Sequence, residues 1–342
     1  MTFNKKGVTM GYQLTKTEAN NLLETLSGQF DIYAPVLMVG DGCFSDTDVV
    51  RYGKISSLDE VVWDKKSDYS FKETLLHINE TIFYFTEDHT SVPNGPDKDL
   101  LIFLRACDLN ALKRLDQIYL KNGFEDFYYA RIRERAHFVL MGCTETCESG
   151  FCVSMGTNKA DNYDVYIKVD GDKVYFDFKN EEFEKEFTYE RYTEPCDVTP
   201  DYVTENIEKV TLPKNLSNAS FTKEIWAEYG ERCITCGRCN FACPTCTCFT
   251  MQDIFYGDNP KVGERRRVWA SCQVDDYDTI AGGIKFRKTK GDRVRFKTMH
   301  KIYDYEKRFG YPMCVGCGRC DDICPEYISF SNLINRLAKE EQ

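Results

Sequence analysis

Apolar positions in the first 210 residues follow helical spacing in some stretches and strand spacing in others. Leu14, Leu22, Leu23 and Leu26 recur at helical intervals across residues 15–26, where Thr15 or Thr17 can cap the first turn. Residues 35–39 form a short apolar run, stopped by Gly40-Asp41-Gly42, and predict a buried strand. Residues 71–78 predict a helix and residues 81–85 a strand. The pattern is sharpest at Leu100-Leu101-Ile102-Phe103-Leu104, a continuous apolar run of the kind buried on both faces of a parallel sheet. A helix follows over residues 109–120, with Leu109, Leu112, Leu115 and Ile118/Tyr119 on one face, and then a second buried strand over 138–141. Strand, helix, strand is a βαβ unit, right-handed by default. Residues 164–168 and 174–178 alternate around Asp170-Gly171-Asp172 and predict a hairpin. Residues 181–190 are acidic and expected to be exposed. Residues 213–218 have linker composition, and helical periodicity returns at 222–232 and 329–339. The chain therefore reads as an α/β domain over residues 1–215, followed by a mainly helical domain over 221–342.

At 342 residues the chain can build two cores, and its 23 Phe and 21 Tyr exclude a disordered polymer. There is no apolar run long enough for a transmembrane helix, and the first residues lack the apolar core of a signal peptide. The expected location is the cytoplasm, with no membrane partner. The net charge of −11 is uneven. Residues 1–220 hold 24 Lys/Arg against 38 Asp/Glu, and residues 221–342 hold 20 against 17. This balance argues against nucleic acid as a partner.

The chemistry lies in the basic half. Eight of the 17 cysteines form two matching runs, Cys233-x2-Cys236-x2-Cys239-x3-Cys243-Pro244 and Cys314-x2-Cys317-x2-Cys320-x3-Cys324-Pro325. This is the bacterial-type ligand spacing for cubane [4Fe-4S] clusters, in which the fourth cysteine of each run serves the other cluster. One cluster is expected on Cys233, Cys236, Cys239 and Cys324, the other on Cys314, Cys317, Cys320 and Cys243. Zinc favours paired Cys-x2-Cys units and has no need of the third and fourth cysteines at these gaps. With no export signal, a disulfide framework is also disfavoured. The runs lie about seventy residues apart, which fits a helical ferredoxin-type domain with a long insert. Oxygen-sensitive cubanes suit an anaerobic cytoplasm.

A third cysteine group follows the two buried strands. Cys107 comes just after residues 100–104, and Cys143, Cys147 and Cys152 come after residues 138–141. Chain segments at the carboxyl ends of parallel strands share one crevice, where ligands bind. Three readings fit: a third cubane on Cys107, Cys143, Cys147 and Cys152, a set of buried thiols, or a redox-active thiol pair. The loop placement favours the cubane. Cys246, Cys248 and Cys272 have no fourth partner in view and read as thiols packed near the clusters. Cys43 and Cys196 read as structural. The scattered His77, His89, His137 and His300 read as structural too. Gly40-Asp41-Gly42 is too short for a dinucleotide loop, and there is no P-loop. Residues 285–297 carry seven basic side chains against Asp292 alone, which suits a docking face, a counter-charge to the clusters or a solvated surface equally.

Several of these segments together resemble a known family. They are Leu104-Arg105-Ala106-Cys107-Asp108-Leu109-Asn110-Ala111-Leu112, Gly142-Cys143-Thr144-Glu145-Thr146-Cys147, Gly150-Phe151-Cys152-Val153-Ser154-Met155-Gly156, Cys243-Pro244-Thr245-Cys246-Thr247-Cys248-Phe249, Trp269-Ala270-Ser271-Cys272 and Met299-His300-Lys301. The family comprises the iron–sulfur electron-carrier subunit of the anaerobic sulfite reductase and the β subunit of cytoplasmic nickel–iron sulfhydrogenases. One departure is Gly150, where relatives tend to carry cysteine. The resemblance implies an iron–sulfur subunit, not catalytic alone. It would carry electrons from an NADH-oxidising flavin subunit to a sirohaem subunit that reduces sulfite to sulfide. Cubanes pass one electron at a time, so they can link a hydride donor, through the flavin, to a multi-electron acceptor. The hydrogenase β subunit is the alternative within the class. An iron–sulfur redox sensor is the alternative outside it, although no DNA-binding element is visible.

Overall fold

The computed structural model describes residues 10–42, 46–180, 184 and 194–340; Cys43 and all of the acidic segment 181–190 except Glu184 lie outside them. The first half contributes β1 (Met10–Thr15), β2 (Phe30–Met38), β3 (Val49–Lys54), β4 (Asn79–Phe85), β5 (Thr90–Ser91), β6 (Asp99–Arg105), β7 (Ala136–Met141), β8 (Val165–Asp170), β9 (Lys173–Phe178) and β10 (Glu194–Asp197). All but β4 and β5 join one sheet, in the order β10-β1-β9-β8-β7-β6-β2-β3. Its centre, β8-β7-β6-β2, is parallel, and its flanks are antiparallel.

Helices α1 (Lys16–Leu26), α2 (Lys72–Leu75), α3 (Ala106–Tyr119) and α4 (Phe127–Arg133) complete this half. The apolar run in β6 lacks alternation because both faces of the strand are covered. Leu101 and Phe103 join Leu22, Leu23 and Leu26 of α1, whereas Leu100, Ile102 and Leu104 pack with Leu109, Leu112 and Leu115 of α3. Thr15 caps α1, and Glu18 returns the bond to the Thr15 backbone. The expected helix over 71–78 is only the four residues of α2, because Leu76 turns extended to lead into β4. In contrast, α3 begins three residues earlier than its apolar face indicates. No glycine or proline separates it from β6, and Asp108 in the first turn suits the positive helix end. Cys107 therefore sits on a helix turn, not on a loop tip.

The second half mixes helices with hairpins. It contains α5 (Ile225–Arg232), α6 (Arg238–Phe241), β11 (Phe249–Phe255), β12 (Gly263–Trp269), α7 (Lys290–Met299), α8 (Tyr305–Phe309), α9 (Arg319–Asp322) and α10 (Phe330–Glu340). The β11–β12 hairpin does not stand alone: β12 pairs with β4, giving a sheet ordered β11-β12-β4-β5 that joins the two halves. Arg267 of β12, 7% exposed, bonds Glu80 of β4 at 2.7 Å and Asp126 at 2.7 Å. Ile225, Trp226 and Tyr229 of α5, Val294 of α7, and Leu333, Ile334 and Leu337 of α10 form a separate helical core. Each such side chain contributes about 1.5–3 kcal/mol by leaving water. Helices α5 and α7 cross at Gly230 and Gly291; a Cβ on Gly230 would lie 2.5 Å from the Gly291 nitrogen. Between α7 and α8 the helix widens into one π-helical turn, His300–Asp304, a distortion that often marks functional sites.

Candidate functional site

The two cysteine runs adopt the same backbone trace. Each reads Cys-x-x-Cys-Gly-Arg-Cys, and in each the glycine, Gly237 or Gly318, is left-handed and opens a four-residue helix, α6 or α9. Two residues after the first cysteine the chain is left-handed again, at Thr235 (φ 59°) and Gly316 (φ 64°). These turns aim backbone donors at sulfur. The amides of Thr235, Gly316 and Ile328 donate to Cys233, Cys314 and Cys324 Sγ respectively, each at 3.4 Å. Hydrogen bonds of this kind tune cluster potentials.

Cys233, Cys236, Cys239 and Cys324 line one cavity of about 60 Å³, and Cys243, Cys314, Cys317 and Cys320 line a second of about 20 Å³. The fourth cysteine of each run thus faces the cavity of the other run, while Cys320 touches both cavities. Among the described residues, no three His, Cys, Asp or Glu side chains converge to hold a single ion. The sulfurs line the two voids instead. Burial pushes the Cys314 thiol up to about 12 and holds the Cys320 thiol well above its ordinary value. Such sulfurs ionise when iron supplies the opposing charge. Two buried lysines stand in the walls. Lys297 borders both cavities, and Lys301 borders the second, its Nζ donating to Thr245 Oγ1 at 2.7 Å. Burial opposes their charge, but the neighbouring thiols prevail and raise both pKa values, Cys239 and Cys320 acting first on Lys297, Cys243 and Cys246 on Lys301.

Each run docks on a different neighbour. The second run packs on the α/β half. The Phe151 amide donates to Gly316 O at 2.7 Å, Thr157 Oγ1 to Val315 O at 2.6 Å, and Lys66 Nζ to Cys317 O at 2.7 Å. A Cβ on Gly316 would lie 2.6 Å from Phe151 O, so glycine is needed there for space as well as for φ. Arg319, 1% exposed, grips the fully buried Asp108 through two bonds of 2.7 and 3.0 Å and also donates to Ser67 O at 2.8 Å. The first run packs on α2 and on the end of β12. Lys72 Nζ donates to Asn240 O at 2.9 Å and to Cys246 O at 3.0 Å, and it lies 4.2 Å from the centre of the Trp269 ring.

Cys107, Cys143, Cys147 and Cys152 are drawn together beside the second run. Electrostatic interaction links Cys107 to Cys317 and Cys152, and Cys152 to Cys143 and Cys147. Arg105 reaches Cys143 Sγ at 3.5 Å, and Asn206 Nδ2 reaches Cys152 Sγ at 3.7 Å. Burial raises the thiols of Cys107, Cys143 and Cys152. A Cβ on Gly150 would lie 3.0 Å from that of Cys147, so a cysteine at this departure from the family pattern would crowd Cys147.

The basic run 285–297 does not act as one patch. Lys285 pairs with Asp275 and Asp276, Arg293 with Asp275 at 2.9 Å, and Arg295 with Asp292, whereas Lys297 turns inward to the cysteines. Periodicity does not mark Lys72, Lys66 or the Arg319–Asp108 pair, because their partners lie far away in sequence.

Comparisons with known proteins bear on the span that holds the two runs. Residues 232–328 match the family model of a 4Fe-4S dicluster domain. That span takes in both cysteine runs, and the chain is an iron–sulfur protein. Over 302 residues it is 28% identical to the sulfhydrogenase 2 subunit beta of Pyrococcus furiosus, covering 84% of this chain and 88% of that protein. No solved structure matches the chain. Among the described residues, no helix is long and apolar enough to cross a membrane.

Proposed function

We propose that the chain is the electron-transfer subunit of a cytoplasmic multi-subunit oxidoreductase and is not catalytic alone. The observation that carries this reading is the pair of cysteine-lined cavities sharing the Cys320 and Lys297 wall. Cys233, Cys236, Cys239 and Cys324 would hold one [4Fe-4S] cluster, and Cys314, Cys317, Cys320 and Cys243 the other. Cys107, Cys143, Cys147 and Cys152 would hold a third beside Cys317. When bound, the clusters supply one-electron carriers in series. The protein's own groups exclude water, donate N–H bonds to sulfur and set buried cations against the negative charge of the clusters. Cys236 is exposed and so is Ile234 beside it, which makes the first cluster the point of exchange with a partner.

In the first reading the partners are a flavin subunit that oxidises NADH and a sirohaem subunit that reduces sulfite, as the sequence resemblance implies. In the second they are the other subunits of a sulfhydrogenase, a reading favoured by the Pyrococcus furiosus relative. The isolated chain should accept electrons from a strong reductant but neither oxidise NADH nor reduce sulfite. Isolation of the native complex separates the readings: sirohaem in the partner supports the first, nickel the second. Sulfite reduction by the chain alone would overturn the carrier role.

A further inference from the structure

A third cavity is larger than either of those at the cysteine runs, at about 220 Å³ against about 60 and 20 Å³. Cys246, Cys248 and Cys272 line it, and none of the three belongs to a cysteine run or to the crevice group. They converge through one hairpin. Phe249 of β11 pairs with Trp269 of β12, the Ala270 amide donates to Cys248 O at 2.9 Å, and the chain then delivers Cys272 to the same end of the ladder. Sulfur has donors here as well: Asn240 Nδ2 lies 3.0 Å from Cys272 Sγ, and Gln273 Nε2 lies 3.8 Å from it.

Thr247, Tyr277, Phe296 and Met313 share the remaining wall with the basic Arg287, Lys297, His300 and Lys301, and among the described residues no carboxylate lines it. Lys297 and Lys301 also line the cavity of the second run, so the new cavity shares its wall with that site. Three thiols around a void, with buried cations in its wall and N–H donors to sulfur, parallel the two cysteine-run cavities, although here the donors are side chains rather than backbone amides. A single ion does not suit the site, because no three donors meet at a point among the described residues. A surface thiol cluster does not suit it either, because Cys246 and Cys272 are buried.

We propose that Cys246, Cys248 and Cys272 hold a further [4Fe-4S] cluster whose fourth iron faces His300, the one imidazole in the wall. The proposal rests on the iron–sulfur reading above and adds a relay position next to the second run. Because only three cysteines are present, one iron lacks thiolate and differs from its three neighbours.

The test uses the full chain, prepared or reconstituted anaerobically with iron and sulfide. Four clusters give about sixteen iron atoms per chain, at four per cubane. The variant Cys246→Ala/Cys248→Ala/Cys272→Ala should lose about four of them and keep the EPR signals of the clusters on the two runs. Cys272→Ser, which changes one atom, should also lose iron while keeping the wild-type circular dichroism, so a folding failure of the triple variant does not decide the matter. Mössbauer spectra should show one distinct iron that disappears in the triple variant and shifts in His300→Ala. Equal iron in wild type and triple variant would overturn the proposal and leave the dicluster reading intact, as would a Cys248–Cys272 disulfide in the anaerobic protein. A loss of about three irons with an oxidised-state EPR signal would overturn the fourth iron. A wild-type chain without iron would overturn both readings.

Discussion

Arg319 and Asp108 make the sharpest energetic prediction. The arginine lies between the second and third cysteines of its run, Cys317 and Cys320, and the aspartate follows Cys107, so the pair joins two cysteine groups, its members 211 residues apart. Both side chains are removed from water, at 1% and 0% exposure, and the bond is two-pronged. Removing one partner from such a pair strands a buried charge and costs about 3–5 kcal/mol. Replacing both by apolar groups of similar volume is close to neutral, because the desolvation cost then disappears. Asp108→Asn and Arg319→Met should therefore each destabilise the loaded protein by roughly that amount, and Asp108→Leu/Arg319→Met should recover most of it. The two single changes should differ. Stranded Arg319 still faces the thiol groups of Cys317 and Cys107, which would be negative as iron ligands, whereas stranded Asp108 would face Cys107 with like charge. Arg319→Met should be the worse. The assay is anaerobic denaturant unfolding of the four proteins, followed by circular dichroism and cluster absorbance. A double variant no more stable than the worse single variant, or single losses under about 1 kcal/mol, would refute the reasoning.

Three further outcomes follow from the geometry. Cys243→Ser should disturb the EPR signal of the cluster built on Cys314, Cys317 and Cys320, because Cys243 lines that cavity; a disturbance confined to the Cys233 cluster would contradict the crossed arrangement. Gly318→Ala should destabilise by about 1–3 kcal/mol and loosen the second run from residues 149–152, since φ is 74° and the new methyl meets Ser149, and unchanged melting would exclude this. Lys301→Met should lower the reduction potential of the Cys314–Cys317–Cys320 cluster by tens of millivolts in an EPR-monitored titration, because a buried positive charge that favours the extra electron is lost; a rise would contradict this.

The sequence carries local geometry well and long-range convergence poorly. The spacing of the two runs marks their shared turn, and the matching Cys-Gly-Arg-Cys in each supplies the left-handed glycine that spacing alone does not explain. The buried strands Leu100–Leu104 and Phe138–Met141 are legible because burial on both faces leaves no polar alternation. Cys272 is not legible as a neighbour of Cys248: twenty-four residues and a full hairpin separate them, and only the Phe249–Trp269 register brings them together. Charge counting over 285–297 cannot distinguish Lys297, turned into the cavities, from Lys285, paired with Asp276 near the surface. Both are lysines in one basic stretch, and only packing separates them. The joining of β4 to β12 is likewise a pairing of distant strands, and neither strand's pattern names its partner.

The reciprocal placement of Cys243 and Cys324 has a consequence for how the protein is made and how it fails. Neither cavity is complete until residues from the other run have arrived, and Cys320 borders both. On the crossed reading, a half-built chain cannot keep one cofactor while it waits for the other. Maturation is then a single cooperative event after synthesis of the carboxyl-terminal run. Damage follows the same logic. Oxygen that strips iron from one site frees a cysteine of the opposite run and loosens the wall that Cys320 and Lys297 share with its neighbour, so loss from one site favours loss from the other. A population of partly oxidised molecules should accordingly divide into intact and empty chains, with few between.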